Sequence, residues 1–153
     1  LQFCISQAPN LSDSVYNKFL KKAPFPVIKG DNQALLSVSD SLILASGTVA
    51  LEAALYQVPM IIAYKGPWLF YYIYLLVRCI KMVSLPNIIL DKVTVPELTQ
   101  GKCTVKNIVE ETEKNLYDTN IRNMRISDLG EVKSKLSEKY SAEEVAKQIV
   151  ENI

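Results

Sequence analysis

The stretch Ser41-Leu42-Ile43-Leu44-Ala45-Ser46-Gly47-Thr48-Val49-Ala50-Leu51-Glu52 limits what this chain can become. An apolar run of strand length leads into a lone glycine, and an alanine-rich helical stretch follows. Glycine adopts backbone conformations that other residues avoid, so Gly47 permits a tight reversal or the close approach of a ligand. A helix starting at Thr48 would aim its first free N–H groups above the turn, where an anion, phosphate above all, is well held. Glu52 stands alone among Val49, Ala50, Leu51, Ala53, Ala54 and Leu55. A capping box places its acid three residues after the cap, but Ser46 and Thr48 put Val49 and Leu51 there. Capping therefore does not account for Glu52. A carboxylate beside a phosphate site can instead accept hydrogen bonds from a sugar diol; the plainer alternative is a solvent-facing acid on a tight strand–helix turn. The turn is neither a P-loop nor a GxGxxG fingerprint, because Gly47 has no glycine or lysine partners at those spacings.

The flanking sequence repeats the strand–helix alternation. Strands are predicted over residues 1–6, 25–28, 41–45 and 58–64, with helices over 15–22, 32–38 and 48–57 between them. Ser12 or Asp13 suits the cap of the first helix and Asp31 that of the second, while Pro24 ends the first. This spacing indicates βαβ units and a parallel sheet. The third and fourth strands are almost wholly apolar, as in strands covered on both faces. After Gly101 the pattern changes to charge-rich amphipathic helices over 104–117, 120–139 and 142–153, the last with Ser141 as cap and Glu144 in capping-box position. The expected fold is thus α/β: a Rossmann-like parallel sheet with flanking helices, followed by amphipathic C-terminal helices. With 153 residues, one domain is expected.

Composition narrows the function classes. The chain is 49% hydrophobic and 22% charged, which is globular. Its net charge of +1 makes no case for nucleic acid. The absence of histidine, with only Cys4, Cys79 and Cys103 at wide spacing, excludes His-based catalysis and offers no zinc site. The cysteines read as reduced, buried residues of a cytosolic protein. The chain begins at Leu1, without Met and inside a strand pattern, as a fragment would.

Trp68-Leu69-Phe70-Tyr71-Tyr72-Ile73-Tyr74-Leu75-Leu76-Val77 is the most apolar run, and Arg78 ends it. It falls well short of the roughly 20 residues that a spanning helix needs. It reads either as a helix buried in the protein or in a homodimer interface, or as one touching acyl chains or a membrane surface through Trp68, Phe70, Tyr71 and Tyr74.

In an open α/β sheet, ligands sit beyond the C-terminal ends of the strands. Ser46, the Gly30–Asp31 turn, Tyr64-Lys65 and the Ser84-Leu85-Pro86-Asn87 segment, read as a short loop, all follow strands and would line one crevice. Backbone amides and the Ser46 and Thr48 hydroxyls would hold phosphate without metal. Lys65 would meet its charge, and Asn87 would hydrogen-bond phosphate or sugar. For Lys65 and Asn87 the alternatives are a solvated surface lysine and an ordinary loop residue. Glu97 and Glu52 are far apart in sequence, and nothing in the pattern pairs them as acid and base.

Four segments together carry a family resemblance: Ala45-Ser46-Gly47-Thr48-Val49-Ala50-Leu51-Glu52, Val58-Pro59-Met60-Ile61-Ile62-Ala63-Tyr64-Lys65, Val83-Ser84-Leu85-Pro86-Asn87-Ile88 and Val95-Pro96-Glu97-Leu98-Thr99-Gln100. In order and spacing they resemble the C-terminal half of the bacterial lipid-A-disaccharide synthases. The turn is shared with other GT-B glycosyltransferases; the later two segments make the resemblance specific. It implies the C-terminal half of a GT-B fold, a nucleotide-sugar-binding domain over 1–153 with 104–153 as its helical end. It further implies transfer of an acylated glucosamine from a UDP-diacylglucosamine donor to the 6-hydroxyl of an acylated glucosamine 1-phosphate, without metal or cofactor, in the bacterial cytoplasm at the inner membrane. By that analogy Ser46, Gly47 and Thr48 face the diphosphate, Glu52 the ribose, and Asn87 the donor pocket. The family's N-terminal half and its LPGSR loop have no counterpart in this sequence. No residue of the chain is therefore assigned a catalytic role, and the chain alone is expected to be inactive. Two other readings compete: a non-catalytic α/β interaction module, and another UDP-sugar transferase or epimerase of GT-B fold.

Overall fold

The computed structural model describes residues 1–8, 10–20, 25–45, 47–67, 82–137, 147 and 149–151. Ser46, Pro24, the run from Trp68 to Val77, Cys79, Ser141 and Glu144 lie outside the described residues. The chain divides into two compact units, Leu1–Ser39 and Asp40–Ile153.

The first unit is one βαβ element with a trailing helix. Strand β1 (Ile5–Gln7) pairs in parallel with β2 (Val27–Lys29), in register Ile5 to Val27 and Gln7 to Lys29. The predicted strand over 1–6 is shorter and shifted, because pairing starts only at Ile5, whose N–H bonds Pro26 O at 2.9 Å. Helix α1 (Asp13–Leu20) connects them. Asp13 turns its carboxylate to Gln7 Nε2 and Lys29 Nζ, at 2.9 and 2.7 Å. Helix α2 (Asn32–Val38) lies where the sequence puts it, and Asp31 caps it through a 3.1 Å bond from Ala34 N–H. Cys4 is exposed and Cys103 half-buried, so neither is the buried thiol the sequence suggested.

The second unit holds a three-stranded sheet of order β3 (Leu42–Leu44), β4 (Met60–Tyr64), β5 (Glu97–Thr99), parallel throughout. The α/β class and the parallel pairing expected from the sequence are those of the structure. Ile61 and Ile62 point to opposite faces of β4, and both are fully buried. The central strand is therefore covered on both faces. On β3, by contrast, Ile43 is 49% exposed, so its apolar sequence does not mark two-sided burial.

Helix α3 (Thr48–Leu55) buries Ala50, Ala53 and Ala54, an i, i+3, i+4 stripe whose small side chains admit close neighbours. Those neighbours are α4 (Leu85–Leu90) and α6 (Thr119–Ser137), and α5 (Val105–Tyr117) packs on β4. Helix α4 overturns the loop expected over residues 84–87. Pro86 sits in its first turn, where its missing N–H costs nothing and its fixed φ favours the helix. Thr104 is the N-cap of α5, its hydroxyl accepting from Asn107 N–H at 3.2 Å. Helix α6 is not simply amphipathic, because its buried stripe joins Arg125 to Leu129 and Val132. The described residues 147 and 149–151 are helical.

Candidate functional site

All three strands of the second unit run the same way, so Leu44, Tyr64 and Thr99 end at one edge of the sheet. That edge is where an α/β sheet takes a ligand. Beyond β3, Gly47 has φ +114° and ψ −163°. This region is essentially closed to residues with a Cβ, so glycine is required there by backbone geometry. Gly47 is also the N-cap of α3 and brings no side-chain oxygen to the first amides. An end without a side-chain cap leaves N–H groups for water or a ligand. Thr48 and Glu52 are one turn apart (i, i+4) and therefore share a face of α3; both are exposed, opposite the buried alanine stripe. Among the described residues, the Glu52 carboxylate takes part in no hydrogen bond or ion pair. Lys65 directly follows β4 on the adjacent strand and is likewise exposed. The structure thus brings Gly47, Thr48 and Lys65 to the same sheet edge, with Glu52 one turn along α3. Gly30, with φ +76°, makes the turn after β2 in the first unit.

Asn87 occupies a different setting. It is fully buried, and its whole amide is engaged within the protein. Its Nδ2 donates to Val95 O at 2.8 Å and to Glu97 Oε1 at 2.9 Å. Its Oδ1 accepts from Thr94 N–H at 2.9 Å and Val95 N–H at 2.8 Å. An asparagine amide has two donors and two acceptor lone pairs, so no capacity is left over. A ligand could bond Asn87 only by displacing these partners.

The partner of Asn87 is a residue that sequence reasoning set aside. Glu97 Oε1 accepts from Ser84 N–H at 2.8 Å, and both its oxygens accept from Val83 N–H at 3.0 and 2.9 Å. The carboxylate thereby serves the chain entering α4. Three residues on, Gln100 is buried at the end of β5 and donates Nε2 to Gly66 O at 3.2 Å. Gln100 holds φ +48°, and its Oε1 is buried without a partner among the described residues. The only signal of either role in the sequence was their co-occurrence with Ser84–Asn87; no periodicity points to them.

A second polar cluster lies at the opposite end of the sheet. Arg125, 8% exposed, donates to Asn115 Oδ1 at 2.5 Å and Glu111 Oε2 at 2.6 Å, and Asn115 Nδ2 donates to Ser41 Oγ at 2.9 Å. Arg122 donates to Asp40 O at 2.9 Å. These bonds tie α5 and α6 to the start of β3. An open depression lined by Glu110, Glu113, Lys114 and Tyr117 sits at the same α5–α6 corner. Three carboxylates, including Asp118, border it, and it is remote from the edge carrying Gly47. It is therefore a poor place for a phosphate.

The profile of the lipid-A-disaccharide synthetase family matches residues 5–153. This chain belongs to the lipid-A-disaccharide synthetase family. The lipid-A-disaccharide synthase of Psychromonas ingrahamii is 49% identical over 86 residues, covering 56% of this chain and 23% of that protein. That of Anaeromyxobacter dehalogenans is 31% identical over 152 residues, covering 97% of this chain and 40% of that protein. That of Hydrogenovibrio crunogenus is 36% identical over 129 residues, covering 82% and 34%. The chain spans at most two fifths of the length of these synthases. The Gly47 turn, Asn87, Glu97 and Gln100 all fall within the stretch that matches the lipid-A-disaccharide synthetase family.

Proposed function

We propose that this chain is the part of a lipid-A-disaccharide synthase that holds the nucleotide-sugar donor. The observation that carries the reading is Gly47. A glycine-only backbone geometry opens an uncapped helix at the C-terminal edge of a parallel sheet, with the Glu52 carboxylate unpaired among the described residues one turn beyond Thr48. In this reading the α3 amides and the hydroxyls of Ser46 and Thr48 hold the diphosphate of a UDP-sugar. Lys65 adds a positive charge from the neighbouring strand. Glu52 accepts the ribose hydroxyls. Asn87 shapes the pocket by fixing the chain around it. Gly30, in the turn after a strand of the first unit, is the remaining donor-contact residue, on sequence position alone. The donor is an acylated glucosamine on UDP and the acceptor an acylated glucosamine 1-phosphate, joined with release of UDP. Reaction chemistry is assigned to no residue of this chain, so the purified 153-residue protein binds the donor without turning it over. The aromatic residues Trp68, Phe70, Tyr71 and Tyr74 are proposed to contact a lipid surface at the cytoplasmic face of the inner membrane. Sequence alone supports that part. No described helix is long and apolar enough to cross a membrane.

Isothermal titration with UDP, uridine and inorganic phosphate tests the reading. UDP is expected to bind at roughly millimolar strength, about −4 kcal/mol, and more tightly than uridine. Absence of UDP binding at several times that concentration sinks the proposal, and turnover of a UDP-acylglucosamine donor by this chain alone refutes its inactivity.

A further inference from the structure

We infer that Glu97 and Gln100 are positioning residues for the donor edge, together holding the two chain segments that flank it. This rests on the donor-binding reading above. Strand β5 and the residue after it contribute both side chains from within four consecutive residues, Glu97 to Gln100. Glu97 lies opposite Ile62, and Thr99, just before Gln100, lies opposite Tyr64. From the first position a carboxylate takes the N–H groups of Val83 and Ser84 and the amide of Asn87. Bonds to a charged acceptor are roughly twice as strong as neutral ones. From the second, Gln100 Nε2 takes the carbonyl of Gly66, the residue after Lys65. That bond also fixes which way the amide faces, leaving Oε1 without a partner among the described residues. One short strand therefore sets both the Lys65–Gly66 segment and the Val83–Asn87 segment.

Stability alone does not explain Gln100. A non-glycine residue at φ +48° is strained, and a buried acceptor with no partner among the described residues is costly. Glycine at this position would remove both costs, at the expense of the bond to Gly66 and the packing of a buried side chain. A side chain kept under such a penalty is expected where it places something that matters, and what it places is the Lys65 segment.

The test compares wild type, Glu97→Gln and Gln100→Gly in the 153-residue chain. Gln100→Gly is expected to leave the chain folded, relieved strain offsetting part of the lost packing, while weakening UDP binding about tenfold, a fold-change typical of losing one well-placed hydrogen bond. Glu97→Gln replaces one acceptor by an NH2 facing the donors of Val83 and Ser84. It is expected to speed hydrogen exchange at the amides of those two residues about tenfold or more and to weaken UDP binding likewise. Should Glu97→Gln fail to fold, Gln100→Gly decides the matter. Wild-type UDP affinity in the folded variants overturns the inference, as does unchanged exchange at Val83 and Ser84. A wild-type chain that ignores UDP counts against the donor-binding reading instead, and the exchange measurement still judges whether Glu97 holds the segment.

Discussion

Asn87 Nδ2 and Glu97 Oε1 are joined by a 2.9 Å hydrogen bond that links the two segments on which the family resemblance turns. The Ser84–Asn87 and Val95–Gln100 segments are parts of one construction. Asn87 reads the backbone of Thr94 and Val95, while Glu97 reads the backbone of Val83 and Ser84. Each segment supplies the side chain that satisfies the other's backbone.

Replacing Asn87 with Ala should therefore destabilise the fold itself. It strands the N–H groups of Thr94 and Val95 in a site with no solvent access. The expected loss is about 3 kcal/mol in urea unfolding. A ligand-contact role alone would leave the unfolding midpoint near wild type, and that result would show that Asn87 does not hold the two segments together.

Glu52 should behave in the opposite way. It is exposed, its carboxylate without a hydrogen bond or ion pair among the described residues, on a helix anchored by Ala50, Ala53 and Ala54. Glu52→Ala is expected to leave stability within about 0.5 kcal/mol. It should weaken UDP binding by about 1–3 kcal/mol, the range for losing a hydrogen-bonded partner. Unchanged UDP affinity would remove Glu52 from the site.

The strand–turn–helix signal around Gly47 was legible because three local rules agreed: an apolar strand run, a glycine where the backbone turns, and a helix-forming stretch behind it. Asp31 and α2 were legible for the same reason. What was not legible depended on partners distant in sequence. Ser84 with Pro86 in the first turn is a local helix-start pattern that also reads as a loop, and Glu97, which completes its entry, is distant in sequence. Ile43 looked doubly buried because composition does not reveal which strands have neighbours on both sides. Arg125 was not singled out, because its partners, Asn115 and Glu111, lie on the preceding helix. The residues with candidate ligand roles were found by their isolation, as with Glu52, whereas the residues that hold the edge together were missed because their chemistry faces inward.

The glycines at 47 and 130 should answer differently to alanine. At Gly47 there is space for a Cβ but the backbone conformation forbids it. Gly47→Ala is expected to cost about 1–3 kcal/mol through strain at that turn and to disturb UDP binding. Gly130 lies inside α6, where a Cβ would stand 2.9 Å from Gln57 Nε2. That atom is the far end of a flexible side chain, which can swing away. Alanine also favours a helix interior over glycine by up to about 1 kcal/mol. Gly130→Ala should therefore be neutral or stabilising in thermal unfolding. A loss of more than about 2 kcal/mol would show that Gln57 cannot yield and that the turn after α3 is locked against α6 at this contact.

Acid should loosen the α5–α6 seam through Glu111. Burial pushes its carboxyl up, but hydrogen bonds from Lys114 and Arg125 outweigh that and hold it below its ordinary value of 4.5. A depressed folded-state pKa means that the folded state releases its proton more readily than the unfolded chain. The associated stability is therefore fully present above 4.5 and is lost as pH falls through the lower, folded-state value. Asp13, in the other unit, is lowered by its hydrogen bonds from Lys29 and Gln7 and adds a slope of the same sign. The comparison that isolates Glu111 is Glu111→Gln, which removes the titrating group but keeps an acceptor for Arg125. At neutral pH it should cost about 2 kcal/mol, as for a hydrogen bond to a charged partner. As pH is lowered below 4.5 and through the folded-state value, its unfolding midpoint should converge on that of wild type. Curves that stay parallel over that range would mean that the Glu111–Arg125 contact at 2.6 Å contributes nothing that depends on charge.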